Sequence, residues 1–184
     1  NILYEKNLNK LTFDKSITLK NIFFHHQPES PWVLKNINLS IMKGSCVGII
    51  GSTGGGKSTL LDVLMSLLEP SKGTLLIDGK KLDSSMAYKW QRSIAHVPQS
   101  IFLSDSSIME NIAFGIEKEK IDIQRVHIVA KYAQINHFIE SQQYGYNSMV
   151  GERGVRLSCG QKQRIGIARA LYKGAKVLIL DEAT

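Results

Sequence analysis

Gly51-Ser52-Thr53-Gly54-Gly55-Gly56-Lys57-Ser58-Thr59 stands between a short apolar run, Cys46-Val47-Gly48-Ile49-Ile50, and a stretch with helical periodicity. It fits GxxxxGK[ST], and a strand before and a helix after are the context that pattern needs. Glycines at these positions let backbone N–H groups wrap a β-phosphate with no Cβ in the way, and the helix N-terminus adds positive potential. Lys57 then reaches β- and γ-phosphates, and the Ser58 hydroxyl is placed to ligate Mg2+. A glycine-rich turn that merely precedes Lys-Ser is the plain alternative, and the flanking elements count against it.

Working outward, residues 46–50 have the continuous apolar character of a strand buried on both faces. On the other side, Leu60, Leu61, Leu64, Leu67 and Leu68 recur at helical spacing, so a helix is expected over 57–68, ended by Pro70 and Gly73. Residues 73–79 read as one more strand and a tight turn. Upstream, residues 17–24 and 33–41 alternate as half-buried strands, with the turn Pro28-Glu29-Ser30-Pro31 between them.

Far downstream, Val177-Leu178-Ile179-Leu180 is again a buried strand, and Asp181-Glu182 follows it. An Asp at a strand end can hold the Mg2+ shell, and the next Glu can polarise an attacking water. A strand ending in Asp-Glu is common by itself; paired with the cradle it completes a nucleotide site. Between the two, Ser107-Ile108-Met109-Glu110 has capping-box spacing, and Asp122 caps a helix with Ile123, Val126, Ala130 and Ala133 along one face. Residues 104–172 are therefore expected to be mostly helical, which makes the architecture α/β with an inserted helical region.

Leu157-Ser158-Cys159-Gly160-Gln161, followed by Lys162-Gln163-Arg164, resembles the LSGGQ signature of ABC ATPases, and residues 16–184 resemble an ABC domain throughout. Ser158 and Gln161 also have capping-box spacing, so the motif opens a second helix whose N–H groups can face an anion. An ordinary helix cap is the alternative.

The resemblance implies a P-loop, RecA-like α/β core with an antiparallel β subdomain and an inserted helical subdomain at about 104–172. It implies ATP and Mg2+ as ligands. It further implies head-to-tail pairing with a second ABC domain, in which Ser158, Gly160 and Gln161 cap the γ-phosphate held by the partner's cradle. Gln99, in Val97-Pro98-Gln99, takes the place of the Q-loop glutamine that touches Mg2+ and the attacking water. Glu182 takes that of the residue activating the water, and Asp181 that of an Mg2+ ligand. His26 occupies the place of the adenine-stacking aromatic. Residues 107–112 and Val150-Gly151-Glu152-Arg153-Gly154 resemble the segment after the Q-loop and the X-loop of exporters. They point to a membrane domain, expected upstream of a linker at residues 1–15, and to the cytoplasmic face of a membrane.

Two departures stand out. Imidazole at His26 offers less stacking area than a phenol ring. Cys159 replaces the signature's first glycine, where a Cβ is expected to crowd the partner's phosphate or strain the turn. The sequence stops just after the Asp-Glu strand, short of the family's D-loop and switch histidine, so the chain reads as a fragment with poor activity by itself.

Bulk properties agree with a globular domain: 184 residues, 43% hydrophobic, 21% charged. A net charge of +7 with no Lys/Arg cluster reads as a solvated face, not a nucleic-acid footprint. Cys46 and Cys159 have no metal or disulfide spacing, which fits a reducing compartment. No apolar run reaches the ~20 residues that span a bilayer. Two competing readings are a soluble ABC ATPase of DNA repair or translation, and a nucleotide-sensing module with little turnover. The first is expected to carry coiled coils or tandem domains, which are not seen; a turnover measurement separates the second.

Overall fold

A computed structural model describes residue 11 and residues 13–181. Glu182 and most of the 1–15 segment lie outside the described residues. The chain divides into two compact units, Asn1–Ile94 and Ala95–Thr184, each taken by itself below.

The first unit is built on a four-stranded sheet in the order β2-β1-β3-β4. Its strands are β1 (Ser16–Phe24), β2 (Leu34–Met42), β3 (Lys72–Ile77) and β4 (Lys80–Lys81), every adjacent pair antiparallel. Strict alternation along β1 would bury positions 17, 19, 21 and 23. Instead Ile17, Leu19, Ile22 and Phe24 are buried. The register steps from Leu19↔Leu39 to Ile22↔Ile37, so β1 carries one extra residue, and Asn21 sits at φ 48°. This bulge shifts the phase by one and keeps the apolar set on a single face. Gly73 (φ +93°) passes directly against it: a Cβ there would collide with the carbonyls of Asn21 and Lys20.

Helix α1 (Lys57–Leu64) starts as expected but is shorter than the leucine periodicity suggested. Ser66 enters the left-handed region (φ 56°), and the N–H of Leu67 turns back to the Asp62 carbonyl at 2.8 Å. The chain thus closes a C-terminal cap before Pro70 is reached. Helix α2 (Ser84–Gln91), capped by Asp83, had no clear sequence signal. Its Trp90 is fully buried and donates its indole N–H to the Leu64 carbonyl at 2.8 Å, which ties α2 to the end of α1.

Residues 46–50 depart most from expectation. They form no strand and are largely exposed, Ile50 at 98%. A strand is buried on both faces only where a layer covers each of them, and residues 46–50 lie outside the antiparallel sheet of this unit.

The second unit pairs β5 (Ile94–Val97), whose first residue closes the first unit, with β6 (Val177–Leu180). Only Ile179 of β6 is buried. The expectation of a buried strand is corrected: β6 pairs with β5 in a two-stranded sheet, and its other side chains are half-buried or exposed. Between them lie α3 (Ile108–Ile112), α4 (Ile123–Tyr132), α5 (Asn136–Glu140) and α6 (Cys159–Tyr172). Ile108, Ile112, Val126, Val129, Ala130, Ile135, Ile139 and Ile165 share one apolar cluster. On α4, Val126 and Ala130 face this cluster as expected, whereas Ile123 is exposed because it starts the first turn beside its Asp122 cap. Among the described residues, no helix is long and apolar enough to cross a membrane.

Candidate functional site

The cradle is an exposed loop over 51–55 running into α1. The N–H of Gly55 donates to the Ser52 carbonyl at 3.0 Å, closing a turn. Gly56 is the N-cap of α1, at φ 81° and ψ 11°, and no side chain caps the helix. A Cβ on Gly56 would press at 3.1 Å on the Val33 carbonyl and at 3.1 Å on Leu34 Cδ2. Both the left-handed backbone and the close approach therefore require glycine. With no side-chain cap, the N–H groups opening α1 are left to an external acceptor, the arrangement that suits a phosphate.

The Lys57 ammonium folds back over the loop, donating to the carbonyls of Gly51 at 3.0 Å and Ser52 at 2.9 Å. Ser58 is exposed in the first turn of α1, Thr59 half-buried beside it, and Thr53 and Gly54 exposed at the loop tip. His26, in the same unit, is exposed just beyond β1, its ring edge-on to Phe24 at 5.1 Å and 89°. Its neighbour His25 packs on Trp32 at 4.6 Å, with its Nδ1 buried and without a hydrogen-bond partner.

In the second unit the signature forms the expected capping box. Ser158 is the N-cap of α6; its N–H donates to Gln161 Oε1 at 2.8 Å, and the Gln161 N–H to Ser158 Oγ at 3.2 Å. Cys159 is exposed at the first helical position. It is absent from the positive-φ residues, so the expected strain in the turn is not present: a helix start is open to any L-residue. Space around Gly160 is open.

A groove of about 640 Å³ runs alongside, lined by Gln99, Ile101, Phe102, Arg153, Cys159 and Lys162. Gln99 and the start of α6 are thus brought to one cleft. Arg153, at φ 50°, is held by Lys162, whose ammonium donates to its carbonyl at 3.1 Å. Asp181 is half-buried after β6, and its N–H donates to the Val97 carbonyl at 3.0 Å.

The capping box of α3 is also in place: the Glu110 N–H donates to Ser107 Oγ at 3.2 Å and the Ser107 N–H to Glu110 Oε2 at 3.0 Å, and the Ser107 hydroxyl donates to the same carboxylate oxygen. The Ser107 side chain first, then its backbone, hold the Glu110 carboxyl below the usual carboxylate range. Sequence reasoning assigned Asn111 on α3 and Lys162 on α6 no role of their own, and it did not single out Arg169 on α6; all three organise this region through contacts that no local spacing encodes.

The Ser58 hydroxyl in the first unit, and the Gln99 carboxamide and Asp181 carboxylate in the second, each offer the oxygen donors that suit a hard cation such as Mg2+.

An α/β chain with this cradle and a second capped helix start is a P-loop nucleotide-binding protein. The family described as ABC transporter matches residues 34–184, and the chain belongs to that family. It is 42% identical over 181 residues to the leukotoxin translocation ATP-binding protein LktB of Mannheimia glucosida, covering 98% of this chain and 25% of that protein. LktB of Bibersteinia trehalosi matches at the same identity and coverage. The chain thus spans about a quarter of the length of these curated relatives. Among solved structures, a bacterial Atm1-family ABC exporter with ATP bound superposes with a TM-score of 0.84 at 35% identity, over 97% of this chain and 31% of the other.

Proposed function

We propose that this chain is the ATP-binding and hydrolysing part of an ABC exporter, joined through residues 1–15 to a membrane domain and working at the cytoplasmic face of a membrane. The observation that carries this reading is the α1 start: a left-handed Gly56 with no side-chain cap, followed by Lys57, whose amine folds back onto the carbonyls of Gly51 and Ser52. Residues 51–56 wrap the phosphates, Lys57 neutralises the β- and γ-phosphates, and His26 stacks on adenine. Ser58, Gln99 and Asp181 offer oxygen to Mg2+, which when bound neutralises charge on the phosphates. Glu182 activates the water. Ser158, Gly160 and Gln161 close over the γ-phosphate of a second, head-to-tail copy of the domain. Residues 16–184 form the ABC domain, with 104–172 as its helical subdomain. The cargo is a lipid, lipid-linked sugar, peptide or drug, and the likeness to leukotoxin translocation proteins supports the export role.

The test is a pair of variants in the full-length protein. Lys57→Ala is expected to lose productive ATP binding, and Glu182→Gln to bind ATP and accumulate as a closed dimer on size exclusion. Turnover by Lys57→Ala, or a monomeric and hydrolysing Glu182→Gln, would overturn the reading.

A further inference from the structure

Residues 98–107, which lead from Gln99 to α3, have no regular secondary structure, so their backbone polar groups must find partners elsewhere. Two side chains supply several of them. Asn111 is fully buried; its Nδ2 donates to the Ser104 carbonyl at 3.0 Å and the Ser107 carbonyl at 3.1 Å, and its Oδ1 accepts the Ser104 N–H at 3.0 Å. Arg169 on α6 reaches across. Its Nε donates to the Asn111 carbonyl at 2.9 Å, Nη2 to Asn111 Oδ1 at 3.2 Å, and Nη1 to the Phe102 carbonyl at 3.0 Å.

The guanidinium also lies over the Phe114 ring, 4.7 Å from its centroid. Among the described residues no carboxylate pairs with it, and burial lowers its pKa from the ordinary value. A half-buried cation without a counterion is costly unless its hydrogen bonds are complete, and here its fork is committed to loop carbonyls and Asn111. One turn earlier on α6, Gly166 lets Ile101 pack onto the helix backbone: a Cβ there would meet Ile101 Cδ1 at 2.7 Å.

We propose that Arg169 is a positioning residue for Gln99. By gripping the Phe102 carbonyl from α6, it fixes the Gln99 loop relative to the helix that begins at Ser158. The proposal rests on the role given to Gln99 above. Lysine keeps the charge and the aliphatic stem but has no planar fork, so it cannot hold Phe102 and Asn111 together.

The experiment measures ATPase kinetics of the full-length protein with Arg169→Lys, Gln99→Ala and the double variant. Arg169→Lys is expected to lower kcat about tenfold with KM for ATP within about twofold, and to add little to Gln99→Ala, because residues acting as one unit are not additive. Phe114→Leu, at an exposed position, removes the ring face and is expected to show the same coupling at smaller size should Arg169→Lys fold poorly. Val129→Ala, in the apolar cluster away from the loop, serves as a control matched for melting temperature.

A wild-type kcat in Arg169→Lys, a full independent factor on top of Gln99→Ala, or an equal kcat loss in Val129→Ala would each overturn the proposal. A wild-type rate in Gln99→Ala would instead overturn the role of Gln99 itself.

Discussion

The Lys57 ammonium donates to the Gly51 carbonyl at 3.0 Å, so the first and seventh residues of the phosphate cradle are joined by the charge meant for the ligand. The Ser52 carbonyl accepts a second bond from the same amine. The loop is thus held in shape by its own lysine; the role proposed for Lys57 has it exchange these carbonyls for phosphate oxygens.

Lys57→Arg should therefore weaken nucleotide binding although charge is kept. A planar guanidinium on a longer side chain cannot set a compact point charge between the β- and γ-phosphates as an ammonium does. Losing one hydrogen bond to a charged group costs about 1.5–3 kcal/mol, which is roughly a 10- to 150-fold weaker Kd. Fluorescent-nucleotide titration would measure it; an affinity within twofold of wild type would contradict the picture.

Gly73→Ala should destabilise the first unit. The new Cβ would strike the Asn21 and Lys20 carbonyls at a backbone φ of +93°, and neither backbone can move without breaking the β1–β3 ladder. A loss of about 2 kcal/mol or more is expected, read as a lower melting temperature.

At the start of α6, two changes should act in opposite directions on activity. Ser158→Ala removes the side-chain half of the capping box, at about 1 kcal/mol, and should also weaken ATP-dependent dimerisation. Cys159→Gly should lower stability only slightly, by about 0.3 kcal/mol, since cysteine is itself a weak helix former and glycine a somewhat poorer one. Yet it should raise turnover by removing an exposed Cβ from the phosphate-facing side of the proposed dimer. Faster hydrolysis in a slightly less stable variant is the expected signature; turnover no faster than wild type would remove the crowding role.

Acid should loosen the entry of the chain into β1. Desolvation raises the Asp78 pKa, but N–H donors from Asp14, Ser16 and Lys15, together with the Lys15 charge, outweigh it and leave the carboxyl below its usual value. Those three donors lie at 2.7, 2.9 and 2.7 Å. A depressed folded-state pKa contributes stability that is present above the unfolded carboxylate pKa, about 3.9, and is lost as pH falls through the lower folded value. Asp78→Asn should therefore flatten the acid limb of a melting-temperature profile while lowering stability at neutral pH.

Local chemistry made much of this protein legible in its sequence. The cradle pattern, the Ser107 and Ser158 capping boxes and the Asp122 cap rest on contacts within a few residues, and the strands expected over 17–24 and 33–41 showed as apolar–polar alternation. The helix-ending turn at Ser66 and the phase shift at Asn21 escaped the periodicity because each depends on one residue entering the left-handed region. Burial of 46–50 and of β6 was misread for another reason: an apolar run states a preference for neighbours but does not supply them.

By itself, the sequence determined that this chain carries a phosphate cradle and a second capped helix start, since backbone geometry at glycines and N-caps is written in adjacent residues. Only the tertiary structure decided that Gln99, Cys159 and Lys162 line one groove and that Arg169 holds the Phe102 carbonyl from 67 residues away. Such contacts are set by how α6 packs on an irregular loop, and no spacing along the chain encodes them.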